Sequence, residues 1–438
     1  MGSKNKPILL AAFTTAFLDL VGFSVIFPLF PQLLEYYVGA EGASSLVGRL
    51  VQALQRLSDG GPADRANFTV IVLFGGILGS VYSVLQFAFA PIWGALSDRI
   101  GRRRTLIITV TGTLLAYVGW AFSGSFVVLL LSRCFGGVMA GNIATVSAAV
   151  ADATTAKDRS RGMGIVGMGI GLGFIFGPAI GGVSSSVDLR GLWPQGAEFG
   201  LNPFSAAALV AAVLASINLA LVLWRFPETL DAGHVGAKSG AHPVRTANPI
   251  KLFRGINVPG VQKVALISFV YLTAFSAMEF TLVFLAVDRF GYRPRDNALL
   301  FVYVGVIVAF VQGGLIRRVA PRFGDRRLTT VGLVLLLPGF LLVGFAPSSA
   351  ILFVGLAFLA VGSGFSTPCL GALASRYAPQ DQQGFAMGIF RSMGAMSRAV
   401  GPLMGGILYW HFGSESPYTL GALMSLVPIA LSLRLPPV

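Results

Sequence analysis

Ile8-Leu-Leu-Ala-Ala-Phe-Thr-Thr-Ala-Phe-Leu-Asp19-Leu-Val-Gly-Phe-Ser-Val-Ile-Phe-Pro28-Leu-Phe-Pro31-Gln-Leu-Leu34 is an almost unbroken apolar run with one carboxylate inside it. A helix needs roughly 20 apolar residues to cross a bilayer, and this run supplies them. It is too long for a cleavable signal peptide and carries Asp19, Pro28 and Pro31, so it reads as a retained span. A carboxylate at membrane depth is costly and faces a partner or a watery cavity. Asp19 therefore marks a working surface. Four more charges repeat the pattern inside apolar segments: Arg133, Glu279, Arg391 and Arg398.

Outward from that run, the same texture fills the chain. Of 438 residues 55% are hydrophobic and 11% charged, with a mean hydropathy of +0.76. Soluble domains carry about 25% charged residues. Twelve apolar segments are long enough to span, near 8–33, 68–96, 104–123, 126–151, 161–184, 203–226, 261–287, 297–316, 328–346, 350–375, 384–410 and 418–433. The expected fold is an all-α membrane protein of twelve transmembrane helices in two pseudo-symmetric six-helix bundles.

A net charge of +14 would point to nucleic acid in a soluble chain. Here its distribution gives another reason. With the N-terminus placed inside, 22 of the 32 Lys and Arg fall on the inner side, 7 outside and 3 within spans. That is the positive-inside rule. Both termini are expected in the cytoplasm, the bilayer is the implied partner and nucleic acid is not.

The longest polar interval, 227–260, reads as a cytoplasmic linker between an N-terminal bundle (1–226) and a C-terminal one (261–438). The halves echo each other. Met163-Gly-Ile165 and Gly177-Pro-Ala-Ile-Gly-Gly182 recur, both at one offset, as Met387-Gly-Ile389 and Gly401-Pro-Leu-Met-Gly-Gly406. Arg99-Ile-Gly-Arg-Arg-Arg104 recurs at nearly the same offset as Arg322-Phe-Gly-Asp-Arg-Arg327, with Pro321 where Asp98 would fall. Two six-helix repeats around a midplane site is transporter architecture. In the outer loop 35–67, Leu46, Val47, Leu50, Val51, Leu54 and Leu57 recur at helical spacing and predict a short amphipathic surface helix. Asn67-Phe-Thr69 is a glycosylation sequon abutting a span.

Depth along the spans suggests pairings. With a helical rise of about 1.5 Å for each residue, Asp19 on the first span and Arg133 on the fourth reach nearly the same level, which makes an ion pair reasonable. Glu279 and Arg398 form a second possible pair, both deep in the seventh and eleventh spans. Arg391 and Arg398, seven apart, share a helical face with Gly394 and Ala395 between them. Such a wall suits an anion, and Arg391 is the expected anchor. Burial against a neighbouring helix is the alternative. Tyr82, Gln86, Asn142, Tyr271, Ser276, Tyr303 and Gln312 are weaker expected substrate contacts, alongside ordinary interhelical packing.

Gly94-Ala-Leu-Ser-Asp98-Arg99-Ile-Gly101-Arg102-Arg103 places glycines at a tight interhelical turn with an acid and arginines able to form a breakable latch. Gly173, Gly177, Pro178, Gly181 and Gly182 mark a close helix contact with a loosened backbone. No catalytic or metal constellation appears. The three histidines lack ligand spacing, and Cys134 and Cys369 lie within spans as packing residues.

The latch resembles the signature of the major facilitator superfamily, and the glycine series resembles its antiporter motif. Further stretches resemble the tetracycline-transporter-like branch and, within it, the Tetran group: residues 18–35, Phe74-Gly-Gly-Ile-Leu-Gly-Ser80, Glu279-Phe-Thr-Leu282 with Arg289-Phe290, and Arg391-Ser-Met-Gly-Ala395 with Arg398. The resemblance implies a twelve-helix secondary transporter for organic anions, with the latch holding an outward-open state; export of tetracycline-like drugs is implied by the wider branch alone. The expected activity is alternating-access movement of small organic anions, driven by a proton gradient, by a monomer without cofactor. A polyspecific exporter of lipophilic or cationic drugs is one alternative, and a receptor or scaffold that moves nothing is another.

Overall fold

The computed structural model describes residues 6–58, 66–154, 156–229, 259–378 and 383–436. Among them every regular element is helical. The helices are α1 (Lys6–Ser24), α2 (Phe30–Glu41), α3 (Leu46–Ser58), α4 (Ala66–Ile100), α5 (Arg102–Ala121), α6 (Phe126–Met139), α7 (Asn142–Ala153), α8 (Ala156–Ser184) and α9 (Ser205–Arg225). From residue 259 come α10 (Pro259–Phe290), α11 (Pro294–Phe310), α12 (Ile316–Phe323), α13 (Asp325–Gly344), α14 (Ser349–Tyr377), α15 (Gln383–Phe412) and α16 (Ser416–Leu433). Ten stretches among the described residues are long and apolar enough to cross a membrane. The stretch 294–323 and α15 hold the eighth and eleventh places in chain order. The linker reading falls mostly on residues outside the described ones.

Three spans expected to be continuous are interrupted. The first ends as α1 at Ser24, passes through a 3-10 turn at Phe27–Leu29 and restarts as α2. Pro28 and Pro31 cannot donate backbone hydrogen bonds, and both sit in the first turns of the elements that follow the break. The fourth breaks at 140–141 without a proline. Gly141 lies so close under Trp93 that a Cβ there would collide with the indole. Trp93 Nε1 donates to the Val138 carbonyl at 2.6 Å and Gln86 Nε2 to that of Ala140 at 3.5 Å, so carbonyls at the break are satisfied. The eighth widens into a π turn at Val311–Leu315 before continuing as α12, past its expected end near 316.

Small residues bring the spans together. Along α8, Gly169, Gly173, Gly177 and Gly181 sit at i, i+4 spacing against the first span, and a Cβ at each would meet its backbone within 2.8 Å, on α1 or, for Gly181, at Val25 just past its end. Gly181, against the Val25 carbonyl, is the closest approach of the four. Ser24 Oγ donates across this seam to the Gly173 carbonyl at 3.2 Å. Glycine is required because apolar burial does not drive association in lipid, and backbone proximity with dispersion does. Pro178 lies within the same helix and Gly182 is buried. α4 packs on α15 and α8 on α11, the most extensive of the helix contacts between the first six spans and the last six. The short helix α3 forms as its periodicity predicts, burying Val47 and Leu54.

Candidate functional site

At the level of Asp19 the helices place a polar cluster inside the first half. Asp19 is 6% exposed and accepts from Asn142 Nδ2 at 2.6 Å. The helix restart at Asn142 sets this bond up, since the residue stands in the first turn of α7 facing α1. The expected Asp19–Arg133 ion pair is therefore not formed. Among the described residues no carboxylate approaches the Arg133 guanidinium within 4 Å. Its Cζ lies 4.5 Å from the Tyr82 ring centre and 5.7 Å from that of Phe23. Depth along a helix fixes height but not azimuth, and the two residues share a level on different bearings.

Arg398 on α15 behaves alike. Its guanidinium lies 5.3 Å over Phe174 of α8, in the opposite half. Glu279 shares a cavity with it but makes no contact within 4 Å, so this second expected pair is a neighbourhood and not a bond. The cavity has a volume of about 20 Å³ and is lined by Phe23, Phe27, Phe174, Glu279, Phe280 and Arg398, among others. That is room for about one water.

The other expected contacts lie elsewhere. Tyr271 Oη shares a hydrogen bond with Thr367 Oγ1 at 3.1 Å, and Tyr303 packs edge-on against Phe353 at 5.0 Å. Gln86 serves the helix break, Tyr82 carries Arg133 and Asn142 holds Asp19. None of these five lines the cavity, but Ser276, expected with them, does. The side chains of Arg391 and Asp98 lie outside the described residues. Phe23, Phe27, Phe174 and Phe280 were missed; a signal existed in Phe23 and Phe27, which stand four apart beside Asp19 on a single span.

In the latch region the described residues supply these contacts, while the Asp98 side chain lies outside them. Gly101 has φ +101°, a left-handed turn, and a Cβ there would collide with the Glu228 carboxylate. Glu228 accepts from the backbone N–H of Arg102 (2.8 Å) and Arg103 (3.2 Å), so it caps the start of α5, where a carboxylate complements the helix dipole. Arg102 donates to Asp152 Oδ2 at 2.9 Å and Ser97 Oγ at 2.6 Å, while Arg103 donates to the Leu223 carbonyl. Gly94 is buried and Arg99 exposed. Asp152 and Glu228 escaped the sequence reading because acids near span ends are ordinary there.

The second copy, with Pro321 in the place of Asp98, holds a pair of its own. Asp325 Oδ2 lies 3.2 Å from Arg376 Nη2. Asp325 fills the place in the repeat that Arg102 has in the first half, and Arg376 fills that of Asp152. The same position carries the same bond with its charges exchanged.

Comparison with known proteins accords with this geometry. The chain matches the Major Facilitator Superfamily over residues 12–322 and 316–438. It is 33% identical to the bovine (Bos taurus) major facilitator superfamily domain-containing protein 10, over 98% of this chain and 93% of that one. It is 26% identical to the class C tetracycline resistance protein of Escherichia coli, over 98% and 96%. The crystal structure of the human organic anion transporter MFSD10 (TETRAN) superposes with a TM-score of 0.78 at 32% identity, covering 98% of this chain and all of that one. These relatives are transporters and not enzymes. The chain belongs to the Major Facilitator Superfamily of multi-pass membrane transporters.

Proposed function

We propose that this transporter moves small organic anions by alternating access, coupled to protons, with both termini in the cytoplasm. One observation carries the reading. Arg133 and Arg398, one from each half, are held on aromatic faces, Arg398 lining the small cavity and Arg133 behind Phe23 of its wall, and neither has a carboxylate within 4 Å among the described residues. A buried cation without a partner is costly and favours an anionic cargo. The human relative described as an organic anion transporter supports the same class. Asp19, buried and bonded to a neutral amide, is the proton-coupling carboxylate of this reading. Glu279 at the cavity wall is its counterpart in the second half.

A second reading has one observation in its favour. Glu279 lines the cavity without a direct arginine bond, which a cationic or lipophilic drug could exploit, and the tetracycline resistance proteins are relatives. Purified protein in proteoliposomes with an imposed pH gradient separates the two. Uptake of radiolabelled p-aminohippurate that is abolished by a protonophore and inhibited by other organic anions supports the first. Flux inhibited only by cations, with no p-aminohippurate movement, replaces it with the second.

A further inference from the structure

We infer that Arg133, and not only the arginines of the second half, is an anchor for the carboxylate of the cargo, reached when the Phe23 ring swings aside. The inference rests on the organic-anion reading and adds a site to it. Arg133 is 3% exposed, and its Nε and Nη2 are buried without a hydrogen-bond partner. These two nitrogens form one edge of the guanidinium, the edge whose parallel N–H groups grip both oxygens of a carboxylate. Arginine does not shed its proton in proteins, so the cation cannot neutralise itself in this setting. The Tyr82 and Phe23 faces repay part of the desolvation cost but offer no acceptor in the plane of the edge.

The intramembrane acid of the first span is already engaged. Asp19 holds Asn142 at 2.6 Å, and Tyr117 Oη and Asn142 Oδ1 are further buried polar atoms without a partner in the described structure. The access route is equally specific. Phe23 caps the Arg133 guanidinium on one side and lines the central cavity on the other, with Phe174 of the cavity wall 5.7 Å from it. One ring separates the unpaired edge from the cargo path. While the site is closed that ring supplies the cation with a negative π face; a carboxylate supplies a stronger partner once the ring moves.

Counterflow of p-aminohippurate at equal pH on both sides tests this, because exchange needs cargo binding but no proton gradient. Asp19→Asn is expected to keep counterflow and lose gradient-driven uptake. Arg133→Gln is expected to lose both, and Arg133→Lys, which keeps the charge without the fork, to raise the counterflow KM at least tenfold. Arg133 variants that behave like Asp19→Asn overturn the inference, since the arginine then serves the proton site. A readout on unaltered protein covers variants that fail to fold. Phenylglyoxal modification mapped by mass spectrometry should slow at Arg133 when p-aminohippurate is in excess. Protection confined to Arg391 and Arg398 overturns it as well. If the wild type shows no p-aminohippurate counterflow at all, the organic-anion reading fails and this inference falls with it; normal wild-type counterflow beside normal Arg133 variants removes the inference alone.

Discussion

The two halves solve one packing and charge problem with different materials. In the first half the α1–α8 seam is closed by four glycines, and the acid Asp19 is sealed against Asn142. The matching α10–α15 seam keeps two of those glycines. Gly401 and Gly405 would place a Cβ near 3 Å from α10, and Ser397 stands where the first half has Gly173. Ser397 Oγ donates to the Phe269 carbonyl at 2.9 Å, so a hydroxyl bond does there what backbone proximity does in the first half. The second acid, Glu279, opens onto the cavity. The first half is the tighter and more enclosed, and the second has more room to respond to cargo.

The sharpest way to break this comparison uses the two acids. On the proposed reading Asp19→Asn takes gradient-driven p-aminohippurate uptake to background, because amide for carboxyl removes the titrating proton while keeping the Asn142 neighbourhood filled. Glu279→Gln should instead alter cargo selectivity, measured as competition by organic anions and cations. Equal loss of pH drive in both variants would show that the enclosed and open acids share one task.

Next in size is the latch end. Arg102 is 7% exposed on its side chain and bonded to Asp152 and Ser97. Removing one partner of a buried pair costs about 3 kcal/mol at the low end of the usual range. Arg102→Ala is therefore expected to lower unfolding stability by that amount in detergent, measured by thermal or denaturant titration. A loss near zero would mean that the Glu228 cap alone holds the turn.

The glycine seams come third. Gly181→Ala drives a methyl group into the Val25 carbonyl, where backbone must shift, and should cost about 1–3 kcal/mol as overpacking does. Gly405→Ala meets Ala277 at 3.0 Å and should cost less, and Gly406→Ala, 3.8 Å from Phe280, should be tolerated. Monodisperse yield and unfolding midpoint rank the three. A flat ranking would remove the claim that the first half is the tighter.

Much of this was legible in the chain. Charges in apolar runs stand out because lipid leaves them few explanations, so Asp19, Glu279, Arg133 and Arg398 were visible before any coordinates. Glycines at four-residue spacing announced the seam, and motifs returning at a nearly constant offset announced the repeat. What stayed hidden depends on bearing and on common residues. Height along a span did not tell that Asp19 faces Asn142 and not Arg133. Phe23 and Phe174 were two of 34 phenylalanines, most of which any membrane protein spends on lipid. The break at Gly141 carries no proline, and what packs into it is Trp93, a residue of a different span. Asp152 and Glu228 looked like ordinary loop acids because their partners come from other spans.

The exchanged ion pair gives the smallest expected effect and the finest test. Arg376 is 58% exposed on its side chain and Asp325 12%, so solvent screens their attraction and the pair is worth about 0–1 kcal/mol. Arg376→Ala should thus be nearly silent in unfolding, and the double reversal Asp325→Arg with Arg376→Asp should match wild type within about 0.5 kcal/mol. The corresponding reversal in the first half, Arg102→Asp with Asp152→Arg, should not recover. Glu228 already caps the N–H groups of Arg102 and Arg103, and an acid at position 102 would face that carboxylate across the turn. The difference between the two double reversals measures how far Glu228, rather than the Arg102–Asp152 pair alone, fixes the polarity of the first latch. If both reversals recover equally, the pairs are interchangeable and Glu228 plays no part in setting their sign.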